Sequence, residues 1–134
     1  MSSDDLNSDK PLPSGDLALQ VIAMPKDTNA FGDIFSGWLV KQMDLAASTT
    51  AARAAQGRVV TVAMDGMSFM VPVKIGSVVS CYTDVVVRGA SSIQIQIEVW
   101  MQRDYNSQEL TKVTDGLFVF VSIDDEGRTR PFNT

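Results

Sequence analysis

Histidine is absent from this chain, and its absence removes whole classes of chemistry. A Ser-His or Cys-His nucleophile pair, an imidazole base and a histidine-containing zinc site are all excluded. Cysteine occurs once, at Cys81, so no internal disulfide staples the fold, and the lone thiol fits a reducing compartment. Positive charge is scarce: 11 Lys and Arg against 16 Asp and Glu leave a net charge of −5. Phosphate backbones are held by cations clustered on one face, so nucleic acid is not an expected partner. No apolar run approaches the ~20 residues that cross a bilayer, and no membrane partner is expected. The opening MSSDDLNSDKPLPSGD has neither the basic nor the apolar region of a signal peptide. Residues 1–15 therefore read as a flexible lead-in to a single domain over 16–134, and the protein as cytoplasmic. What chemistry remains must come from carboxylates, amides, hydroxyls and the backbone.

With 45% hydrophobic and 20% charged residues, the chain has the composition of a globular domain. Leu17 to Ala23, LALQVIA, is a short apolar run between Gly15 and Pro25 and reads as a strand. From Asp33 to about Ala55 no proline intervenes and Gly57 supplies a stop, which predicts a long helix. Apolar side chains lie nearly all round it, as in a helix wrapped by other structure on most sides. Beyond Arg58 the pattern becomes β, in runs over 58–73, 77–89, 91–104 and 109–125 separated by turn residues. The third is the clearest: Ile93, Ile95, Ile97 and Val99 alternate with Gln94, Gln96 and Glu98. One strand, one long helix and then an antiparallel meander predict an α+β domain, a curved antiparallel sheet wrapped around one long central helix.

Gly37, Lys41, Asp44, Ser48 and Ala51 fall on one arc of that helix, small and polar together. Lys41 and Asp44 at i,i+3 form either an ordinary surface pair or the margin of a site in which Gly37 and Ala51 leave room above a working carboxylate. Upstream, DTNAFGD can cap the helix through Asp27, Thr28 and Asn29, while Gly32 permits close approach of a ligand. Free N–H groups at a helix start can also hold a developing oxyanion. Yet Asp33 and Asp44 are roughly 16 Å apart at ~1.5 Å per residue, too far for a base and an oxyanion donor to share one carbonyl. Either the two features are unrelated or a two-fold dimer brings a second copy alongside.

The segments MPKDTNAFGDIFSGWLVKQMDLAA, GRVVTVAMDGMSFMVPVKIGSVVSCYT, RGASSIQIQIEVW and VTDGLFVFVSIDDEGRTRP resemble, in order and spacing, the bacterial YciA-type acyl-CoA thioesterases of the hot-dog fold. The likeness runs from Leu17 to Pro131, and its pattern D-x-N-x-x-G-D-I-F-x-G-W followed by Q-M-D is long enough to be specific. It implies hydrolysis of acyl-CoA, with Asp44 as catalytic carboxylate and Asn29 of the partner subunit as the second catalytic side chain. It also implies Gly32 near the thioester oxygen, and Arg88, Gly89, Ser91 and Ser92, with Lys74, along the coenzyme. No cofactor and no metal are expected. Self-association follows as a homodimer with a continuous sheet, and then as a trimer of dimers, a hexamer. Phe31 and Ser36 stand where relatives commonly show asparagine and glycine, and the chain ends soon after RTRPF where relatives often continue.

Some alternatives stay open. Asp44 serves either as general base or as nucleophile, and Arg88 is either a phosphate contact or a solvated hairpin charge. A non-catalytic acyl-CoA binding module on the same fold is the rival function, whereas a hydratase would need the missing histidine. Other residues read as structure. Ser68 in GMSFM lacks the second glycine of a nucleophile elbow and is expected in a strand; Cys81 is expected in the core. Asp124, Asp125 and Glu126 read as a solvated turn, and Met64, Met67 and Met70 as core packing or the lining of an acyl cavity.

Overall fold

The structure is a computed structural model and describes residues 12–104 and 106–132. The expected lead-in over 1–15 lies, as far as residue 11, outside the described residues. In chain order come β1 (Asp16–Ile22), a 3-10 turn (Pro25–Asp27), the helix α1 (Ser36–Ala55), β2 (Val59–Asp65), β3 (Val78–Arg88), β4 (Ser92–Gln102) and β5 (Thr111–Ser122). The strands form one sheet in the order β1-β3-β4-β5-β2, antiparallel at every pairing. α1 crosses one face and touches all five strands. This is the expected α+β architecture and the arrangement of the hot-dog fold.

The alternation in β4 sets the core. Ile93, Ile95, Ile97 and Val99 are fully buried and meet Val79 and Cys81 of β3, Phe118 and Phe120 of β5, and Met43, Ala46, Ala47 and Ala51 of α1. Each large aliphatic or aromatic side chain so buried stabilises the fold by about 1.5–3 kcal/mol. The helix contributes mainly alanines, so its backbone can lie close over the bulky side chains of the sheet. Register shifts interrupt all four strand pairings, between Leu17 and Leu19, Thr61 and Ala63, Val85 and Val87, and Val99 and Trp100. Bulges of this kind bend and twist a sheet, which lets it curve over one helix.

Several expectations need correcting. The helix starts at Ser36 rather than Asp33, because Asp33 and Ile34 form isolated bridges with Lys74 and Thr28. Its one open stripe runs along Gly37, Lys41, Leu45, Thr49 and Arg53, which are exposed. The run over 58–73 is a strand only as far as Asp65, since Gly66 turns the chain at φ 75°. Ser68 therefore sits outside any strand and is exposed. β3, β4 and β5 form the expected meander, but β2 crosses to the far edge and pairs with β5. Gln56, not Gly57, takes the left-handed cap at φ 55°. Gly57 is small for another reason, since a Cβ there would collide with the Arg130 guanidinium.

Cys81 is fully buried, as expected, and burial pushes its thiol up to about 12 from 9.0. The folded chain keeps this proton where the unfolded chain gives it up. The contribution to stability is therefore complete below pH 9.0 and is lost as the pH rises from there toward about 12. We expect the native protein to leave an aromatic disulfide reagent unreacted at about pH 8 and to yield its thiol only after unfolding in urea. A native thiol that reacts at the unfolded rate would contradict the burial.

Candidate active site

Asp44 is the only carboxylate on α1 and is half-buried. It follows Met43, whose side chain is wholly in the core, so its own side chain emerges at the margin of the helix–sheet contact. Its Oδ1 accepts a hydrogen bond of 2.8 Å from Thr61 Oγ1. Thr61 lies on the edge strand β2 opposite Phe120, and cross-strand neighbours share a face, so Thr61 points toward the helix with the buried phenylalanine. The bulge follows immediately, between Thr61 and Ala63. None of the ion pairs among the described residues includes Asp44 or Lys41, so the surface-pair alternative is not what forms. Along the arc, Gly37 faces open space, whereas Ala51 is fully buried and leaves no room on its side.

Upstream, Asp27 to Phe35 folds into a tight loop built around one amide. Asn29 Oδ1 accepts from the backbone N–H of Phe31 at 2.9 Å and of Asp33 at 3.1 Å. The Asn29 N–H donates to the Asp33 carbonyl at 2.7 Å, and the Gly32 N–H to the Asn29 carbonyl at 3.1 Å. With its oxygen doubly occupied, the side chain has only Nδ2 left to offer, a pure donor. The N–H of Gly32, the residue whose region is expected near a thioester oxygen, is spent inside the loop. Gly32 still matters, since its φ of 82° suits glycine and a Cβ there would meet nothing within 4 Å. The loop is fastened by the Ile34 N–H to the Val73 carbonyl at 3.0 Å and by an ion pair between Lys74 and Asp33. Phe31 stands 87% exposed on it.

The residues expected along a coenzyme separate into two places. Arg88 ends β3, donates from Nη2 to the Ala54 carbonyl at 3.4 Å and lies over the Phe132 ring, 5.1 Å from its centroid. The Gly89 N–H closes the turn onto the Ser92 carbonyl at 2.8 Å, and a Cβ on Gly89 would sit 2.6 Å from Ser92 Oγ. The Ser91 carbonyl accepts from the Ser122 N–H at 2.8 Å. Lys74 lies beyond the other end of β3, whose 11 residues span on the order of 30 Å. Lys74 and Arg88 of one chain therefore do not meet on one phosphate. Lys74 instead lines a cleft of about 560 Å³ with Ser77, Arg103 and Glu109.

The carboxylates of 124–126 form the expected turn. Asp124 Oδ1 accepts from the N–H groups of Glu126 and Arg128, and Arg128 pairs with Asp124 and Glu126. Among the described residues no group of three or more His, Cys, Asp and Glu gathers at metal-binding range. Met67 packs against the core while Met70 is exposed. Two residues escaped sequence reasoning, Thr61 and Phe132. A threonine among valines is a hint on an inward strand position, but the bulge beside it hides which way it faces.

With these elements in view, residues 31–107 match the family profile of the thioesterase superfamily, and the chain belongs to that superfamily. Within it, the chain is 48% identical over 121 residues to the acyl-CoA thioester hydrolase YciA of Salmonella typhimurium, covering 89% of this chain and 91% of that protein. It is thus a member of the YciA group. Among solved structures it is similar to the hexameric thioesterase y2039 from Yersinia pestis, with TM-score 0.86 and 48% identity, covering 92% of this chain and 99% of that one. It is also similar to Cj0915, a hexameric hotdog fold thioesterase of Campylobacter jejuni, with TM-score 0.82 and 40% identity, covering 89% and 91%.

The loop chemistry separates two functions of one side chain. Replacing Asn29 by alanine removes both acceptor contacts, and we expect a stability loss of about 1–3 kcal/mol in urea unfolding. Asn29→Asp keeps an oxygen for the Phe31 and Asp33 N–H groups and should lose less than half as much. Equal losses would mean that Oδ1 does not hold the loop together.

Proposed function

We propose that this chain hydrolyses acyl-CoA thioesters to a free carboxylic acid and CoA, with Asp44 as the catalytic carboxylate and Asn29 of the partner subunit as a donor. The observation that carries the reading is a half-buried carboxylate on α1 held by a neutral hydroxyl and, among the described residues, in no ion pair. A cation would quench its basicity and its nucleophilicity together. Thr61 occupies Oδ1 and orients the group, leaving Oδ2 without a partner among the described residues. In the general-base route Oδ2 takes a proton from water as the water oxygen bonds to the thioester carbon. The C–S bond then breaks, and the departing thiolate recovers the proton. In the nucleophilic route Oδ2 bonds to that carbon directly, the C–S bond breaks and the thiolate leaves to take a proton from solvent. Water then cleaves the resulting anhydride to the free acid and the Asp44 carboxylate. In both, negative charge builds on the thioester oxygen, where an amide N–H such as Asn29 Nδ2 stabilises it.

The site needs two copies. Asn29 precedes the start of α1 at Ser36, and from Ser36 to Asp44 the helix rises roughly 12 Å at ~1.5 Å per residue. One chain's own loop and carboxylate therefore do not reach one carbonyl. β2 is an edge strand with Val60, Val62 and Met64 exposed, and it carries the Thr61 that holds Asp44. An open, apolar edge is a template for a second strand. Pairing β2 with its two-fold copy would extend the sheet and bring the second subunit beside Asp44. The hexameric relatives support three such dimers as the assembly. Among the described residues no helix is long and apolar enough to cross a membrane. We assign the enzyme to the cytoplasm on its free thiol, Cys81.

If Asp44 is base or nucleophile, Asp44→Asn should lower turnover of an acyl-CoA by at least about 10² while the thermal midpoint holds. Near-normal turnover would end its catalytic assignment.

Subunit mixing tests the shared site. Neither Asn29→Ala nor Asp44→Ala homodimers have an intact site, whereas each mixed dimer has one. Random pairing makes half the dimers mixed, so activity should recover to about a quarter of wild type. Co-expression with two tags, with the mixed fraction counted per dimer, measures it. Recovery no better than the more active parent, despite demonstrated mixing, would place both residues in one chain or separate their roles.

A further inference from the structure

We infer that Phe132 is a positioning residue for the coenzyme and acts through Arg88, holding its guanidinium so that the free N–H edge faces a phosphate. This rests on the reading that Arg88 meets a phosphate of CoA. Arg88 is exposed, and an exposed arginine samples many rotamers unless something fixes it. Among the described residues its only hydrogen bond is the long one, 3.4 Å, to the Ala54 carbonyl, so most of its five N–H donors are uncommitted. The Phe132 ring lies under the guanidinium with 5.1 Å between centroid and carbon. A cation–π contact takes up none of the N–H donors of the guanidinium, so they stay free for the bidentate recognition of a phosphate.

The ring is itself held firmly. The Phe132 N–H donates to the Ala90 carbonyl at 3.0 Å, so one residue grips the Arg88–Ser92 turn through its backbone and the Arg88 head through its side chain. Its side chain also packs against the core. Two residues earlier, Arg130 anchors the segment. Its N–H donates to the Ser122 carbonyl at 2.9 Å, Nε to the Ile123 carbonyl at 3.1 Å and Nη2 to the Ala55 carbonyl at 3.2 Å. Arg130 thereby takes the last carbonyl of α1 at its negative end, where Arg88 makes only its long contact to Ala54. Three placements converge: an arginine that anchors the segment to the helix end, a backbone bond that fixes the turn, and a ring that meets the charge.

The test is a double-mutant cycle read by calorimetric titration of desulfo-CoA at low ionic strength. Phe132→Leu keeps an apolar side chain and loses the ring face; its Kd should rise about two- to fivefold, the range of an exposed cation–π contact. Phe132→Tyr should restore the wild-type Kd, and kcat at saturating acyl-CoA should stay unchanged in both. Arg88→Ala should weaken binding more and flatten its salt dependence. In the Arg88→Ala background, Phe132→Leu should have no further effect. Equal weakening in both backgrounds, or an unchanged Kd for Phe132→Leu alone, would overturn the positioning role while leaving the phosphate contact standing. An unchanged Kd for Arg88→Ala would instead remove the phosphate contact itself, and the inference with it.

Discussion

A rigid helix across an open sheet is the constraint on which the proposed site depends. α1 carries Asp44 along its length, and the Asn29 loop is fastened before its start to Val73 and Lys74. Neither can move toward the other without unwinding the helix or breaking that fastening. The sheet ends at β2 with its edge unpaired, and the carboxylate is tied to that strand through Thr61. The same bond that orients the acid thus directs it toward the boundary where a second copy would arrive. The proposed catalysis by two half-sites would follow from helix rigidity and an unfinished edge, with no need for a moving part.

Charge explains the distribution of the remaining roles. An acidic protein that takes a phosphorylated coenzyme needs local cations, and cations already committed to carboxylates are poor ones. Lys74 is committed to Asp33 and Arg128 to its turn, so each stabilises a loop. Arg130 is committed to backbone carbonyls. Arg88 meets an aromatic ring and one distant carbonyl; neither neutralises it, which makes it the cation of this group best able to meet an anion. The likeness that joined Lys74 and Arg88 as coenzyme residues thus divides in one chain. Lys74 serves the Asn29 loop, and Arg88 lies at the far end of β3.

Much of the fold was legible because local and global preferences agree. The alternating isoleucines of β4 gave its inner face without error, and the proline-free stretch gave the helix to within a few residues at its start. Legibility failed where a side chain competes with a regular element. Asn29 draws the Phe31 and Asp33 N–H groups to its own oxygen, which postpones the helix, and no periodicity records that competition. The far-edge position of β2 depends on the path through 66–77, and pairing partners are not encoded in a strand's own alternation. Gly57 looked like a helix stop and is a gap for Arg130, a contact with a residue far along the chain. Asp44 was legible as a candidate, but Thr61 was not, since only the assembled sheet brings them to 2.8 Å.

The wall behind Asp44 shows how the core leans on the site. Gly116 sits on β5 opposite Ile97, where a Cβ would come within 2.9 Å of Met67 Cγ and 3.4 Å of Met43 Cε. Met43 immediately precedes Asp44, so the space that Gly116 leaves is filled by methionines that reach the turn of the helix that carries Asp44. Methionine has three rotatable bonds and repacks cheaply, whereas the Asp65 carbonyl 3.3 Å from the same point is backbone and does not. A methyl group added at Gly116 would therefore press on the two methionines before it moved the strand. Strain from the interior of the sheet would reach the carboxylate through Met43, although Gly116 itself takes no part in the chemistry. A fold with one helix has little room to insulate Asp44 from its core, and here soft side chains, not distance, provide the insulation.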